Sequence, residues 1–119
     1  SIMLKDNHLA FAGSIQQAIR TIRKQIGHTV KIEVEVETKE QVQEAVEAGA
    51  DVIMFDNASP KVVKKYQQLV PSHIVTEASG GIQLDNLASY RHTGVDYISL
   101  GFLTHSVQAL DISAEVIEE

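Results

Sequence analysis

Lys31-Ile32-Glu33-Val34-Glu35-Val36-Glu37 alternates apolar and acidic side chains without a break. Successive side chains of a strand point to opposite faces, so Ile32, Val34 and Val36 share one face and the three glutamates share the other. Three more strand-like segments follow downstream: Asp51 to Phe55, His73 to Ala78 and Asp96 to Leu100. With Glu33, Met54, Thr76 and Ile98 as centres, the strands recur every 21 or 22 residues. A fifth candidate, Ile2 to Leu4, precedes a longer helical stretch.

The intervening segments carry helix signals. Ile15, Ala18, Ile19, Ile22 and Ile26 form one apolar stripe at helical spacing. Thr38-Lys39-Glu40-Gln41 reads as a capping box, in which the threonine hydroxyl satisfies an orphan amide. The helix it opens carries Val42, Ala45 and Val46 on one face and stops at Gly49. Ser59-Pro60 is an N-cap with proline at the first helical position, followed by Val62, Val63, Tyr66 and Leu69 up to Pro71. Asp85 is expected to cap a short helix carrying Leu87 and Tyr90 and closed by Gly94.

Strands alternating with helices at this spacing predict an α/β fold of parallel βα repeats. The short period suits a partial, open TIM-like barrel; a flavodoxin-like open sheet is the other reading. No linker, low-complexity tract or charge block divides the chain, so residues 1–119 are expected to form part of one domain. A complete eight-stranded barrel takes about 250 residues. With 119 residues and five strands, the chain is expected to be a fragment of a longer barrel; a small domain released from a tag is the plainer account.

Composition narrows the function. The formal net charge is −6, with 44% apolar and 22% charged residues and no cysteine. A disulfide scaffold and a thiolate zinc site are excluded. An acidic chain without basic clusters argues against nucleic acid as a partner. No apolar run is long enough to span a membrane, and no basic segment precedes an apolar signal-like stretch. A cytoplasmic location is expected.

The glutamate face then decides where chemistry collects. An edge strand exposed to water would explain it simply. The Asp51 to Phe55 strand, however, is apolar on both faces, and in a barrel the outside is covered by helices. The glutamates would then look into the lumen, where carboxylates are costly unless paired, hydrogen-bonded or bound to a metal or ligand. The same face continues through Lys5, Asp56, Glu77, Ser79, Ser99 and Gly101, at or near the carboxyl ends of the strands, where barrels build active sites. Lys5 opposite Glu35 and Asp56 pairs an ammonium with carboxylates able to hold a hydrated Mg²⁺ or sugar hydroxyls, or makes a plain salt bridge.

Two glycine turns add an anion-binding signal. Ser79-Gly80-Gly81 follows the fourth strand, and Gly101-Phe102-Leu103-Thr104-His105 follows the fifth. Glycine lets backbone amides approach a phosphate, and a following helix N-terminus adds positive potential; glycine also serves simple turn geometry. His105 either donates to a phosphate or starts an exposed helix, and His8 lines the cavity or closes a turn. His28, His73 and His92 fall in surface connections. Arg20, Arg23 and Lys24 are expected on the solvated side of the first helix.

Taken together, several strings resemble one family. They are Leu4-Lys5-Asp6-Asn7-His8, Ile32-Glu33-Val34-Glu35-Val36-Glu37, Ala48-Gly49-Ala50-Asp51, Phe55-Asp56-Asn57, Glu77-Ala78-Ser79-Gly80-Gly81-Ile82 and Gly94-Val95-Asp96-Tyr97-Ile98-Ser99. With Leu103-Thr104-His105-Ser106-Val107-Gln108-Ala109-Leu110-Asp111-Ile112, they resemble quinolinate phosphoribosyltransferase, the carboxylating nicotinate-nucleotide pyrophosphorylase, across essentially the whole chain.

The resemblance implies a cytoplasmic pentosyltransferase of NAD biosynthesis. Such an enzyme joins quinolinate to phosphoribosyl pyrophosphate with Mg²⁺, giving nicotinate mononucleotide, pyrophosphate and CO₂. It implies the carboxyl-terminal part of an open α/β barrel, in a protein with an amino-terminal sandwich domain and a homodimeric or higher homo-oligomeric assembly. By motif position, Lys5 is a cationic site residue, and Glu35 and Asp56 hold ribose hydroxyls and Mg²⁺-bound waters. Ser79, Gly80 and Gly101 contact the 5′-phosphate, with Gly81, Phe102 and His105 nearby.

One departure follows from the same resemblance. The family's upstream basic stretch, which clamps the quinolinate carboxylates, and an arginine from the partner's sandwich domain are not in this sequence. The chain alone is therefore expected to be inactive in the overall reaction. A paralogous phosphoribosyltransferase linked to molybdenum transport and a non-catalytic phosphosugar-binding barrel are the alternatives.

Overall fold

Residues 2–4, 15–100 and 106–109 are described by a computed structural model. Strands β1 (Ile2–Leu4), β2 (Ile32–Val36), β3 (Val52–Asp56), β4 (Val75–Ser79) and β5 (Tyr97–Ser99) form a parallel sheet in chain order, and β6 (Ser106–Gln108) pairs antiparallel with β5. Helices α1 (Ile15–Ile26), α2 (Lys39–Ala48) and α3 (Pro60–Gln67) and a 3₁₀ turn (Leu87–Tyr90) lie between them. Each expected strand is present: Ile2–Leu4 has the expected bounds, and the bounds of the others shift by at most two residues. The sheet is the open, partial TIM-like α/β arrangement, and β2 lies between β1 and β3 rather than at an edge.

Two expectations are corrected. Ser106–Gln108, directly after the second glycine turn, form β6 rather than the helix that one reading of His105 began there, so among the described residues no helix follows that turn. Asp85 caps nothing. The short helix is a 3₁₀ turn preceded by Asn86, whose Oδ1 accepts from the Gln83 amide at 2.8 Å while its Nδ2 donates to the Gly81 carbonyl at 3.0 Å. Asparagine thus uses its side chain to shape the loop rather than to start a helix.

Helix ends follow the sequence signals elsewhere. Thr38 and Gln41 form the reciprocal capping box, and Gly49 closes α2 in the left-handed region at φ 81°. Ser59 accepts from the Val62 amide with Pro60 at the first helical position.

One sheet face and the helices enclose the core. Ile32, Val34, Val36, Ile53, Phe55, Ala78 and Ile98 from the strands are buried with Ile15 and Ile19 of α1, Val42 and Ala45 of α2, and Val63 of α3. Removing these side chains from water is the main drive for the layer. The opposite face carries Glu33 and Glu35, half-buried, and Met3, Val75 and Tyr97, 36–39% exposed.

Register between β2 and β3 and between β4 and β5 is fixed at the amino ends of the strands by two aspartates. Asp51 Oδ2 accepts from the Ile32 amide at 2.8 Å and from Arg23 Nη2 at 2.7 Å, while Arg23 Nη1 donates to the Val30 carbonyl at 2.9 Å. Asp96 Oδ2 accepts from the Thr76 amide at 2.9 Å and from its hydroxyl at 3.3 Å. Each aspartate follows a left-handed glycine by two residues, as Gly49-Ala50-Asp51 and Gly94-Val95-Asp96. Arg23 is therefore a tie between α1, β2 and β3, not the solvated residue expected.

Burial alone would push the Asp51 carboxyl up; the Ile32 amide, Arg23 and Lys31 outweigh it and hold it below the usual carboxylate range. A carboxyl with a depressed folded pKa stabilises above its unfolded value, 3.8, and that stabilisation fades as pH falls through the folded value. Asp51→Asn is expected to cost about 1 kcal/mol at pH 7, since the pair is partly screened. The difference from wild type should shrink below pH 4 in urea unfolding; a pH-independent difference would show that the charge is not what acts.

Candidate functional site

The carboxyl ends of β3 and β4 meet more closely than two ordinary turns. Asp56 pairs with Ser79 in the ladder. The chain then leaves β3 through Asn57, a non-glycine residue in the left-handed region at φ 55°, where asparagine is tolerated because its short side chain bonds locally. The Asn57 amide donates to the Ser79 carbonyl at 2.8 Å. Gly80 has φ 89°, and a Cβ there would lie 2.8 Å from the Asn57 nitrogen and 3.2 Å from Asp56 Oδ1. The Asp56 carboxylate is thus aimed at the space that a side chain on Gly80 would fill.

Other groups face the same end. The Ser79 hydroxyl donates to Met54 Sδ at 3.4 Å; a thioether is a weak acceptor, so this proton is readily given up to a better one. Glu35 stands beside Met54 in the ladder, on the face that carries Glu77 and Asp56. An open cavity of ≈ 470 Å³ is lined by Glu37, Asp56, Asn57, Ala58, Ser59 and Tyr66, among others.

Beneath this end lies a second polar layer. Ser99 Oγ donates to Glu77 Oε1, and Glu33 hydrogen-bonds Glu77, which requires one of the two carboxyls to hold a proton. Burial, the Glu77 charge and that hydrogen bond, with a further push from Glu35, raise the Glu33 pKa to about 7. Glu33 Oε1 is buried and has no hydrogen-bond partner among the described residues. In the ladder Glu35, Met54 and Glu77 stand level, one step below Asp56 and Ser79 on the same face.

The structure therefore brings Asp56, Ser79 and Gly80 together, with Gly81 adjoining and Glu35 on the same face. Lys5, Gly101, Phe102 and His105 lie outside the described residues, as does His8. His28, His73 and His92 are exposed, as expected. Sequence reading missed the bond between Glu33 and Glu77, which joins strands two apart in the sheet, and the bond that the hydroxyl of buried Tyr90 donates to the Ala58 carbonyl at 2.8 Å. Only the paired Gly-x-Asp strings carried a legible signal for the strand clips.

The donor set bears on metal binding. The carboxylates of Glu35 and Asp56 are hard oxygen donors suited to Mg²⁺. Among the described residues, no group of three or more His, Cys, Asp or Glu converges as a metal cage. The residues present fit an ion that keeps most of its water and touches the protein through one or two carboxylates.

Fold and face together define an α/β barrel-type chain whose polar groups gather at the carboxyl ends of its strands. A family model described as quinolinate phosphoribosyl transferase, C-terminal domain, matches residues 1–115. The chain belongs to this family. It is 59% identical over 115 residues to a probable carboxylating nicotinate-nucleotide pyrophosphorylase of Bacillus subtilis (strain 168), covering 97% of this chain and 40% of that protein. The carboxylating nicotinate-nucleotide pyrophosphorylase of Homo sapiens is 37% identical over 118 residues, covering 97% of this chain and 40% of the human protein. The crystal structure of NadC from Streptococcus pyogenes superposes with a TM-score of 0.81 at 39% identity, over 91% of this chain and 39% of that one. This chain spans about two-fifths of the length of these relatives.

Two outcomes test the geometry. Gly80→Ala is expected to destabilise more than Gly81→Ala, because both have positive φ but only Gly80 meets another backbone. Strain of about 1–2 kcal/mol is common to both, so equal urea midpoints would contradict the close approach. For Glu33 the sign is opposite to that of Asp51. Between 4.5 and about 7 the folded chain holds a proton that the unfolded chain releases, so its contribution to stability falls as pH rises through that window. Glu33→Gln, which keeps a donor for Glu77, should flatten that part of the stability–pH curve; an unchanged slope would place the proton elsewhere.

Proposed function

We propose that this chain is the carboxyl-terminal part of the catalytic barrel of a quinolinate phosphoribosyltransferase. Its reaction is phosphoribosyl transfer from phosphoribosyl pyrophosphate to quinolinate with loss of CO₂, giving nicotinate mononucleotide and pyrophosphate. The observation that carries the reading is the contact between the Asp56 turn and the Ser79-Gly80 turn. It sets a carboxylate beside a glycine turn at the carboxyl ends of adjacent strands, as a sugar phosphate requires.

Roles follow from chemistry and motif position. Ser79, Gly80 and Gly101 receive the 5′-phosphate, with Gly81, Phe102 and His105 alongside. Glu35 and Asp56 accept from the ribose hydroxyls and hold Mg²⁺ through water, and Lys5 offers its ammonium to the anionic substrates. Departure of pyrophosphate builds positive charge on the ribose ring, and fixed carboxylates nearby stabilise that charge electrostatically. Mg²⁺, when bound, neutralises charge on the leaving pyrophosphate. Loss of CO₂ follows once the pyridine nitrogen is quaternary and accepts the electron pair.

The parent protein is cytoplasmic and a homodimer or higher homo-oligomer in this reading. Supporting a non-membrane role, no described helix is long and apolar enough to cross a membrane. Few cations face two highly anionic substrates in a chain of net charge −6, so the chain alone makes no nicotinate mononucleotide.

Calorimetric titration with phosphoribosyl pyrophosphate and Mg²⁺ tests the site. Binding is expected to weaken at least about tenfold in Glu35→Gln, the loss of roughly 1.4 kcal/mol. Equal affinity in the two proteins would remove Glu35 from the site, and formation of nicotinate mononucleotide by this chain alone would overturn the claim that it is incomplete.

A further inference from the structure

Tyr90 is only 5% exposed, yet its hydroxyl reaches across from the 3₁₀ turn after β4 to the loop after β3. Its acceptor, the Ala58 carbonyl, lies between left-handed Asn57 and the N-cap Ser59. Helix α3 does not begin its ladder there, because its first bond runs from the Val63 amide to the Ser59 carbonyl at 2.9 Å. The phenol therefore supplies a partner that the helix does not. Burial raises the phenol pKa, so it stays a donor at any working pH.

The same two loops meet at a second place. The Asn57 amide donates to the Ser79 carbonyl, and the Gly80 backbone abuts that of Asn57. Between the two points the chain from Gly81 to Tyr90 is braced by Asn86, which bonds the Gly81 carbonyl and the Gln83 amide. The result is a closed ring: Asn57 and Ala58 on one side, Ser79-Gly80-Gly81, Asn86 and Tyr90 on the other. Asp56 leads into one arm and Ser79 into the other.

We propose that Tyr90 is a positioning residue that locks the Asp56-Asn57 turn to the Ser79-Gly80 turn, so that the carboxylate half and the phosphate half of the site bind their ligands cooperatively. This rests on the function proposed above. Tyr90 touches neither ligand; it acts through the Ala58 carbonyl on the backbone that follows Asp56. A ligand that orders one arm of the ring orders the other, and the second ligand meets less disorder. The coupling is reciprocal: Mg²⁺ tightens a sugar phosphate by the factor by which the sugar phosphate tightens Mg²⁺.

The experiment titrates the whole chain with ribose 5-phosphate, with and without Mg²⁺, in wild type, Tyr90→Phe and Thr93→Ala. In wild type, Mg²⁺ is expected to raise ribose 5-phosphate affinity at least about fivefold. Tyr90→Phe keeps the ring packing and loses only the hydroxyl. Its Mg²⁺-free affinity should stay within about twofold while the Mg²⁺ enhancement drops toward one. Thr93→Ala removes the Thr93 hydroxyl's bond to the Tyr90 carbonyl without touching the phenol; it should lower the melting temperature and leave the enhancement intact.

An undiminished enhancement in Tyr90→Phe overturns the proposal, whatever its melting temperature, and so does a wild-type enhancement of one. If Tyr90→Phe does not fold, hydrogen exchange in wild type decides. Ribose 5-phosphate alone should slow the Asn57 amide, and no protection there overturns the proposal. Failure of wild type to bind ribose 5-phosphate under either condition removes the phosphate site itself, and this inference with it.

Discussion

Everything at the carboxyl end of the sheet depends on register set at the amino end. A parallel ladder offers evenly spaced bonds and does not by itself choose an alignment, and a slip by one residue turns every side chain to the other face. Asp51 and Asp96 remove that freedom by each accepting an amide from the preceding strand. With Ile32 held, Glu35 stands beside Met54, and the Val75 amide's bond to the Asp51 carbonyl carries the alignment on to β4, where Asp56 stands beside Ser79. The left-handed glycines two residues earlier serve the same end, bringing the chain sharply out of the preceding connection so that each aspartate arrives level with its target.

The open face then divides by depth. Below the turns lies Glu77, joined by hydrogen bonds to Glu33 of β2 and Ser99 of β5, a set in which one carboxyl holds a proton. Barrel interiors are ordinarily filled by bulky branched side chains. Here the side chain one step beneath Ser79 on the same face is Glu77, so that turn rests on a hydrogen-bonding group rather than on hydrocarbon. The upper layer is the meeting of two backbone turns, and its fineness comes from a missing side chain at Gly80 and an unusual dihedral at Asn57.

Periodicity made the architecture legible. Alternation in Lys31 to Glu37, the capping box at Thr38 and the Ser59-Pro60 helix start are local features, and local features write themselves into adjacent residues. Asp56, Ser79 and Gly80 were legible as a group because alternation and strand ends place them together. Less legible were contacts between elements far apart in sequence: Arg23 with Asp51, Glu33 with Glu77, Tyr90 with Ala58. Nothing in a charged residue on a helix says which distant carboxylate it will meet. The helix expected after Gly101 and the cap expected at Asp85 failed for a related reason. Local propensity there is weak, and pairing with β5 in one case and an asparagine side-chain bond in the other decided the outcome.

Strand order here equals chain order, and that bears on how the polypeptide reaches its structure. Each parallel pairing from β2 to β5 joins neighbours a single βα repeat apart, so every step closes a loop of similar, modest length. The entropic cost of closure grows only slowly with such loops, and a topology dominated by short sequence separations folds fast for a parallel sheet. Assembly can begin at any adjacent pair and spread strand by strand, with the aspartate clips setting the alignment where β3 joins β2 and β5 joins β4.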